Sequence, residues 1–343
     1  KNLNMRNDEL GHFLHEYTHF LQNIATPFGI KESCVIYKRI LNTIKDYATN
    51  NHSTQKQSED ENNTEQQIYS LFGEKINEDW PINIDESTIS LDKKCFKITF
   101  NDNAKKSYSF KLGTYYIKEG MAYRIQSIVD CATVSDVPYN VLWKLCQKEY
   151  NKITEENFIC ICFLSLFADN PIKEFIRLCE GYKHDTYDKK EIICSQMLCH
   201  HYLKKIDCYV ELYKRNLKKL LQNNNSQYIE FVLENAKKLD ICKIIDSCKD
   251  KAKLLDVLKI YGLPIIRTSS STSATGFEWH FPGLEMFGSD PGLVYLKSIQ
   301  ITYEYIMKKD KICPCISECD DKINLCYESP LSNTKECLFT EII

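Results

Sequence analysis

The segment Leu10–Gly29, LGHFLHEYTHFLQNIATPFG, contains His15-Glu16-Tyr17-Thr18-His19. Two histidines four residues apart lie one above the other on a helix, where each can give a ring nitrogen to one tetrahedral Zn²⁺. A glutamate directly after the first histidine projects beside such an ion, where it can take a proton from water. That is the chemistry of zinc-dependent hydrolysis. The bland alternative is a solvated helix face that spells HExxH by accident. With only eight histidines in the chain, chance places the motif in about one chain in a hundred of this composition.

The surrounding residues predict the helix that the motif needs. At ~100° per residue, Leu10, Phe13, Leu14, Tyr17, Phe20, Leu21 and Ile24 share one arc, and His12, His15, Glu16, His19 and Asn23 share the other. This is an amphipathic helix with its apolar side toward a core. Pro27 and Gly29 are expected to end it, with a second helix over about Glu32–Tyr47. Residues 50–67 contain no apolar side chain and read as a solvated insertion, so His52 within it is not expected to be a ligand. Between Ile82 and Leu112 the apolar period becomes two, which predicts strands at Thr88–Leu91, Cys95–Phe100 and Ser107–Leu112, with a turn at Asn101-Asp102-Asn103. Thr114–Cys131 returns to the helical period. Glu119, Tyr123, Gln126 and Asp130 fall on one stripe, and Met121, Ala122, Ile125, Ile128 and Val129 on the other. Beyond Pro138 helices are expected at Asn140–Asn151, Glu155–Ala168, Ile172–Glu180, Glu191–Leu221, Ser226–Leu239 and Asp250–Tyr261. An irregular stretch, Gly262–Gly292, precedes a last helix to about Met307.

A zinc site with two histidines needs a third protein ligand. A metzincin continues with glycine and a third histidine; Gln22 and Ala25 occupy those places here, which excludes that class. Glu119-Gly120-Met121-Ala122 resembles the E-G-x-A signature by which many gluzincin-type metallopeptidases supply a glutamate from a later helix. His15–Asn23, HEYTHFLQN, is also similar to a group of poorly characterised bacterial proteins with an HExxH helix and a later E-x-x-A helix. The resemblance covers two short helices. It implies His15, His19 and Glu119 as Zn²⁺ ligands, Glu16 as general base, and a zincin-like core. Without the resemblance, Glu119 reads as an exposed glutamate near a helix N-terminus, where the dipole favours it. Glu32 and Asp130 are the fallback ligands, and Asp130 can equally orient a ligating histidine. A donor for the tetrahedral oxyanion is also required. Tyr123, one turn after Glu119, is the first candidate; Tyr115, Tyr116, Arg124 and His280 are rivals. His12, one turn before His15, lines the cleft or caps the polar stripe.

The 17 cysteines lack the compact spacing of a disulfide scaffold and sit largely within helical patterns, as Cys146, Cys160, Cys162, Cys179 and Cys208 do. They are expected to be reduced and mostly buried as small apolar groups. Cys313, Cys315, Cys319 and Cys326 can form a second, structural zinc site, although their spacing is not a repeated C-x₂-C pair. Cys194, Cys199, His200 and His201 read as core cysteines beside surface histidines.

Length and composition frame these expectations. A chain of 343 residues with 43% hydrophobic content supports a packed core, and a net charge of −3 with mixed signs gives no electrostatic case for nucleic acid. No run of 18 apolar residues suggests a membrane span. No signal-peptide pattern is visible, although the first residue is Lys1 rather than Met. The expected class is α+β and mainly α: a zincin-like core at 1–135 with a polar insertion at 50–67, a helical region at 136–261, and an irregular segment, last helix and Cys-rich tail at 262–343 packed on the core. The expected function is cytoplasmic, zinc-dependent hydrolysis of a peptide or protein substrate, with no nucleic-acid or membrane partner and with room for a regulatory protein partner. The rival readings are a zinc-binding regulatory or interaction protein without turnover, a toxin or defence protease held inactive by a partner, and a helical scaffold with a chance motif.

Overall fold

The computed structural model describes residues 6–48, 59–76, 81–130, 134–150, 153–183, 239–250, 252–254, 256–257, 265–267 and 278–280. The helices expected at Glu191–Leu221 and Ser226–Leu239, the last helix, and both cysteine clusters at 194–201 and 313–326 lie outside the described residues, apart from Leu239. Two compact units interleave along the chain. The first is Lys1–Glu32, Glu65–Glu211 and Val232–Leu263; the second is Ser33–Thr64, Leu212–Phe231 and Pro264–Ile343. Every ligand candidate of the motif region, from His12 to Asp130, belongs to the first unit.

Helix α1, Asn7–Ala25, buries Leu10, Phe13, Leu14, Tyr17 and Leu21, the face its periodicity predicts, while Phe20 on its edge is half-exposed. Asp8 and Glu9 occupy its first turn, where the helix dipole favours negative charge, and the Glu9 carboxylate accepts from the Arg6 backbone N–H. The corner that follows differs from expectation. The next helix, α2 (Pro27–Ala48), begins at Pro27 rather than near Glu32. The reason is Thr26, fully buried in an extended conformation between the two helices. Its hydroxyl donates to the Gln22 carbonyl at 2.6 Å and accepts from the Gly29 N–H at 3.1 Å, so one side chain closes α1 and caps α2. Pro27 then takes the first helical position, where its missing N–H costs nothing. Gly29 is required there: a Cβ would lie 2.0 Å from the Gln22 carbonyl oxygen.

Part of the expected polar insertion is helical. Helix α3, Glu59–Phe72, covers residues 59–67 and continues into the apolar residues Ile68, Leu71 and Phe72, whose packing rewards the preceding turns. It ends at Gly73, which takes a left-handed φ of 83°.

The sheet has the order β1-β2-β3, all antiparallel, with β1 at Ser90–Asp92, β2 at Lys97–Asn101 and β3 at Ser107–Lys111. Ile98 and Phe100 of β2 pair with Phe110 and Tyr108 of β3 on the buried face. Two turns shorten the strands relative to the sequence reading. Asp85 accepts from the N–H and hydroxyl of Ser87, which holds residues 85–88 in a turn, and Asp92 accepts from the Lys94 N–H in the next one.

Helix α4, Thr114–Ser127, packs against α1 on one side and against α5 (Asp136–Tyr139), α6 (Val141–Glu149) and α7 (Glu155–Ser165) on the others. The expected half-polar helix is therefore covered nearly all round: Tyr123 and Gln126 are buried, as are Met121 and Ile125. At the α1–α4 crossing a Cβ on Gly11 would lie 2.6 Å from the Asp130 Cβ, so only glycine permits that approach. The boundary expected at residue 135 falls inside this unit, because α4 before it packs on α6 and α7 after it. Helix α7 is buried on every side from Asn157 to Ser165, with α8 (Pro171–Lys183) packed beside it. Helix α9, Ile241–Cys248, was not expected. Its apolar residues Ile241, Ile244, Ile245 and Cys248 follow the helical period, but over only eight residues.

In the second unit, β4 (Ile265–Arg267) pairs antiparallel with β5 (Glu278–His280), placing short strands in a stretch expected to be irregular. Among the described residues no helix is long and apolar enough to cross a membrane.

Candidate metal centre

Helices α1 and α4 bring His15, His19 and Glu119 together. Nε2 of His15 and Nε2 of His19 are 3.2 Å apart, and the Glu119 Oε2 lies 3.4 Å from the first and 3.5 Å from the second. Three donor atoms thus form a nearly equilateral triangle. Donors about 2.0–2.1 Å from a tetrahedral ion stand about 3.3–3.4 Å from one another. The triangle fits one divalent ion with a fourth position open, and it is the one group of such residues among those described.

The hydrogen bonds behind the triangle decide which atoms face it. Gln22, fully buried one turn after His19, donates from Nε2 to the Lys118 carbonyl at 3.1 Å. That fixes the amide, so its Oε1 can only accept, and the His19 Nδ1 lies 3.0 Å from it. His19 therefore carries its proton on Nδ1 and turns the Nε2 lone pair toward Glu119. A lone pair and a carboxylate oxygen at 3.5 Å repel unless a cation or proton sits between them. In the metal-free chain a proton between them is favoured. Burial lowers the His19 pKa, but the hydrogen bond and charge of Glu119, with Gln22, raise it above the usual imidazole value. Burial pushes the Glu119 pKa up, and the hydrogen bonds from His15 and His19 outweigh it, holding the carboxyl down at about 2. The His15 Nδ1 is buried without a hydrogen-bond partner among the described residues.

Glu16 is exposed, as is His12. The fallback ligand Glu32 is engaged elsewhere: Lys118 Nζ lies 2.7 Å from its carboxylate and 2.6 Å from Asn23 Oδ1, so this pair ties α2 to α4 beside the triangle. Asp130 packs against Gly11 and is not part of the triangle, nor does it bond to His15.

The tyrosines fall out differently from the sequence reading. The Tyr123 ring is buried against Tyr139, at 5.7 Å, and under the Arg124 guanidinium. Tyr116 donates its hydroxyl to the Glu74 carbonyl at 2.6 Å. Arg124 is committed to Glu155 and Asn140. His280 ends β5 in the second unit. Tyr139, which no local pattern singled out, stands edge-on to the His15 ring at 5.7 Å. Burial first, and then the charges of Glu119 and Glu16, raise its pKa, so its hydroxyl is within reach of both carboxylates' fields and stays protonated. Tyr115 shares the neighbourhood: burial, then Glu119 and Tyr139, push it up to about 12. Tyr139 is the last residue of α5, so only the tertiary fold links it to α1.

This arrangement offers an ion three converging donors, a carboxylate on the next residue of the same helix, and a protonated phenol alongside. Comparison of the chain with known protein families, with curated proteins and with solved structures gives no significant match.

Proposed function

We propose that the protein is a zinc-dependent metallopeptidase of the gluzincin type, with α1 and α4 as the metal-bearing helices of a zincin-like core. The observation that carries the reading is the His15–His19–Glu119 triangle, with spacing suited to a tetrahedral ion and the His19 tautomer set by Gln22. A structural-only metal site supplies no reason for Glu16. Bound there, Zn²⁺ supplies a Lewis acid that polarises a substrate carbonyl and acidifies water. Glu16 accepts the proton of the attacking water and passes it to the leaving amine. Tyr139, rather than Tyr123, donates a hydrogen bond to the developing oxyanion. Elemental analysis of purified protein is expected to find about one zinc per chain. Hydrolysis of unfolded casein is expected to stop with a chelator and return with added zinc. Absence of any transition metal, even after reconstitution, sinks the proposal.

Two further outcomes follow from the neighbours of the triangle. Gln22→Leu removes the acceptor that holds His19 in its tautomer and leaves the Lys118 carbonyl without its donor. Zinc affinity, read by competition with a chromogenic chelator, is expected to fall about 10–100-fold. Tyr139→Phe removes one hydroxyl and keeps the ring packed on His15 and Tyr123. Steady-state kinetics are expected to show kcat reduced about 10²–10³-fold with KM little changed. An equal loss in Tyr115→Phe and none in Tyr139→Phe would reverse the assignment.

A further inference from the structure

The cysteines of α6–α9 take no part in the metal centre. Cys146, Cys160, Cys162, Cys179 and Cys248 are buried, Cys242 is half-buried, and none of them is in a disulfide. Two pairs are in contact: Cys146 and Cys179 with sulfurs 3.8 Å apart, and Cys160 and Cys242 with sulfurs 4.0 Å apart. Access separates them. Both members of the first pair are fully buried in the core, whereas Cys242 reaches the surface of the first unit.

We propose that Cys160 and Cys242 are a reversible disulfide-forming pair, oxidised by a peroxide, that staples α7 to α9. The two helices are already held in place. Ile241, Ile244 and Ile245 bury α9, and Lys249 at its end lies 3.2 Å from Glu156, one turn before Cys160. The sulfurs lie in van der Waals contact at 4.0 Å, and the disulfide requires them to close to about 2.05 Å. The pair also has an attacking member and a resolving one. Cys242 is the second residue of α9, beside the Asp240 cap and at the positive end of the helix dipole. The hydrogen bond from Cys160 holds its thiol below the usual range, against burial and the carboxylates of Asp240, Asp246 and Glu156, while the same contact and burial keep Cys160 a thiol.

The chemistry proceeds in two steps. The Cys242 thiolate attacks one peroxide oxygen; the S–O bond forms, the O–O bond breaks, and the departing hydroxide takes a proton to become water. The sulfur, oxidised by two electrons, is now a sulfenic acid. The Cys160 sulfur attacks it; the S–S bond forms, the S–O bond breaks, and the hydroxide leaves with the Cys160 proton as a second water. Two thiols and one hydrogen peroxide yield one disulfide and two waters. A thiol reductant reverses the change by exchange.

The test uses the full chain, reduced, freed of reductant and treated with one equivalent of hydrogen peroxide. Free thiols are then alkylated and the non-reduced digest mapped by mass spectrometry. The expected product is a Cys160–Cys242 cross-linked peptide pair about 2 Da lighter than its two thiol peptides together, which disappears on reduction. Cys160→Ser and Cys242→Ser are expected to abolish it. Cys162→Ser is expected to retain it, which distinguishes Cys160 from its neighbour on the same peptide. Zinc content is expected to be the same before and after oxidation, because none of His15, His19 and Glu119 is a thiol. Recovery of Cys242 as a free thiol, as a sulfinic acid, or joined to a cysteine other than Cys160 would overturn the proposal, and so would oxidation of Cys146–Cys179 in its place.

Discussion

Glu16→Gln is expected to keep its zinc and lose about 10²–10⁴-fold of its peptide hydrolysis. The substitution replaces a carboxylate by an amide of the same shape, so what it removes is basicity. Glu16 is exposed on α1 and is not one of the three converging donors, so the variant has no reason to lose the ion or the fold. The two readouts must therefore separate: elemental analysis unchanged, turnover of casein or a fluorogenic peptide nearly gone. KM is expected to move little, because the proton transfer belongs to the transition state rather than to binding. Survival of turnover in this variant would show that Glu16 is not the base. Loss of zinc together with turnover would show instead that Glu16 reaches into the coordination sphere.

Glu119→Ala is expected to weaken zinc binding by more than about 100-fold, a larger loss than that for Gln22, since it removes a donor rather than a partner of one. The triangle then has two imidazoles and no negative charge. Glu119→Gln separates charge from packing. It preserves the side-chain volume between α1 and α4, so a matching loss of zinc in both variants assigns the effect to the carboxylate. The metal-free protein provides a second readout. In the native chain burial lowers the His19 pKa, and Glu119 together with Gln22 more than compensates. With Gln at 119 the carboxylate's share goes while burial remains, so His19 is expected to titrate at lower pH, as read from its imidazole proton shifts in an NMR titration. A His19 titration that does not move would mean that Glu119 does not face the ring in solution.

Much of the supporting structure was legible in local pattern. The α1 face from Leu10 to Leu21 is read directly from the 3.6-residue period, because a helix with one wet and one dry side must segregate its residues that way. The alternation in β2 and β3 is read for the same reason at period two. The pattern misled where a side chain acts on the backbone. Thr26 makes a two-sided cap, so Pro27 opens a helix instead of closing one. Asp85 and Asp92 fold strand-like residues into turns. It fell short again for α4, whose stripe of Tyr123 and Gln126 is polar in the sequence but buried in the fold. Burial depends on how many neighbours pack around a helix, and α4 has them on nearly every side.

The site divides along the same line. Spacing within one helix determined that His15 and His19 share a face and that Glu16 stands beside them, since four residues make one turn whatever surrounds them. The resemblance proposed Glu119. What brings its Oε2 within 3.5 Å of both rings is the α1–α4 crossing, made close by Gly11. The tertiary structure alone decided three things: that the Gln22 amide, rather than Asp130, meets a motif imidazole; that Glu32 pairs with Lys118; and that the Tyr139 ring lies edge-on to His15. The Glu32 and Tyr139 contacts join residues far apart in the chain and leave no periodic trace in the sequence; Gln22 is one turn from His19, but its amide is fixed by the distant Lys118 carbonyl.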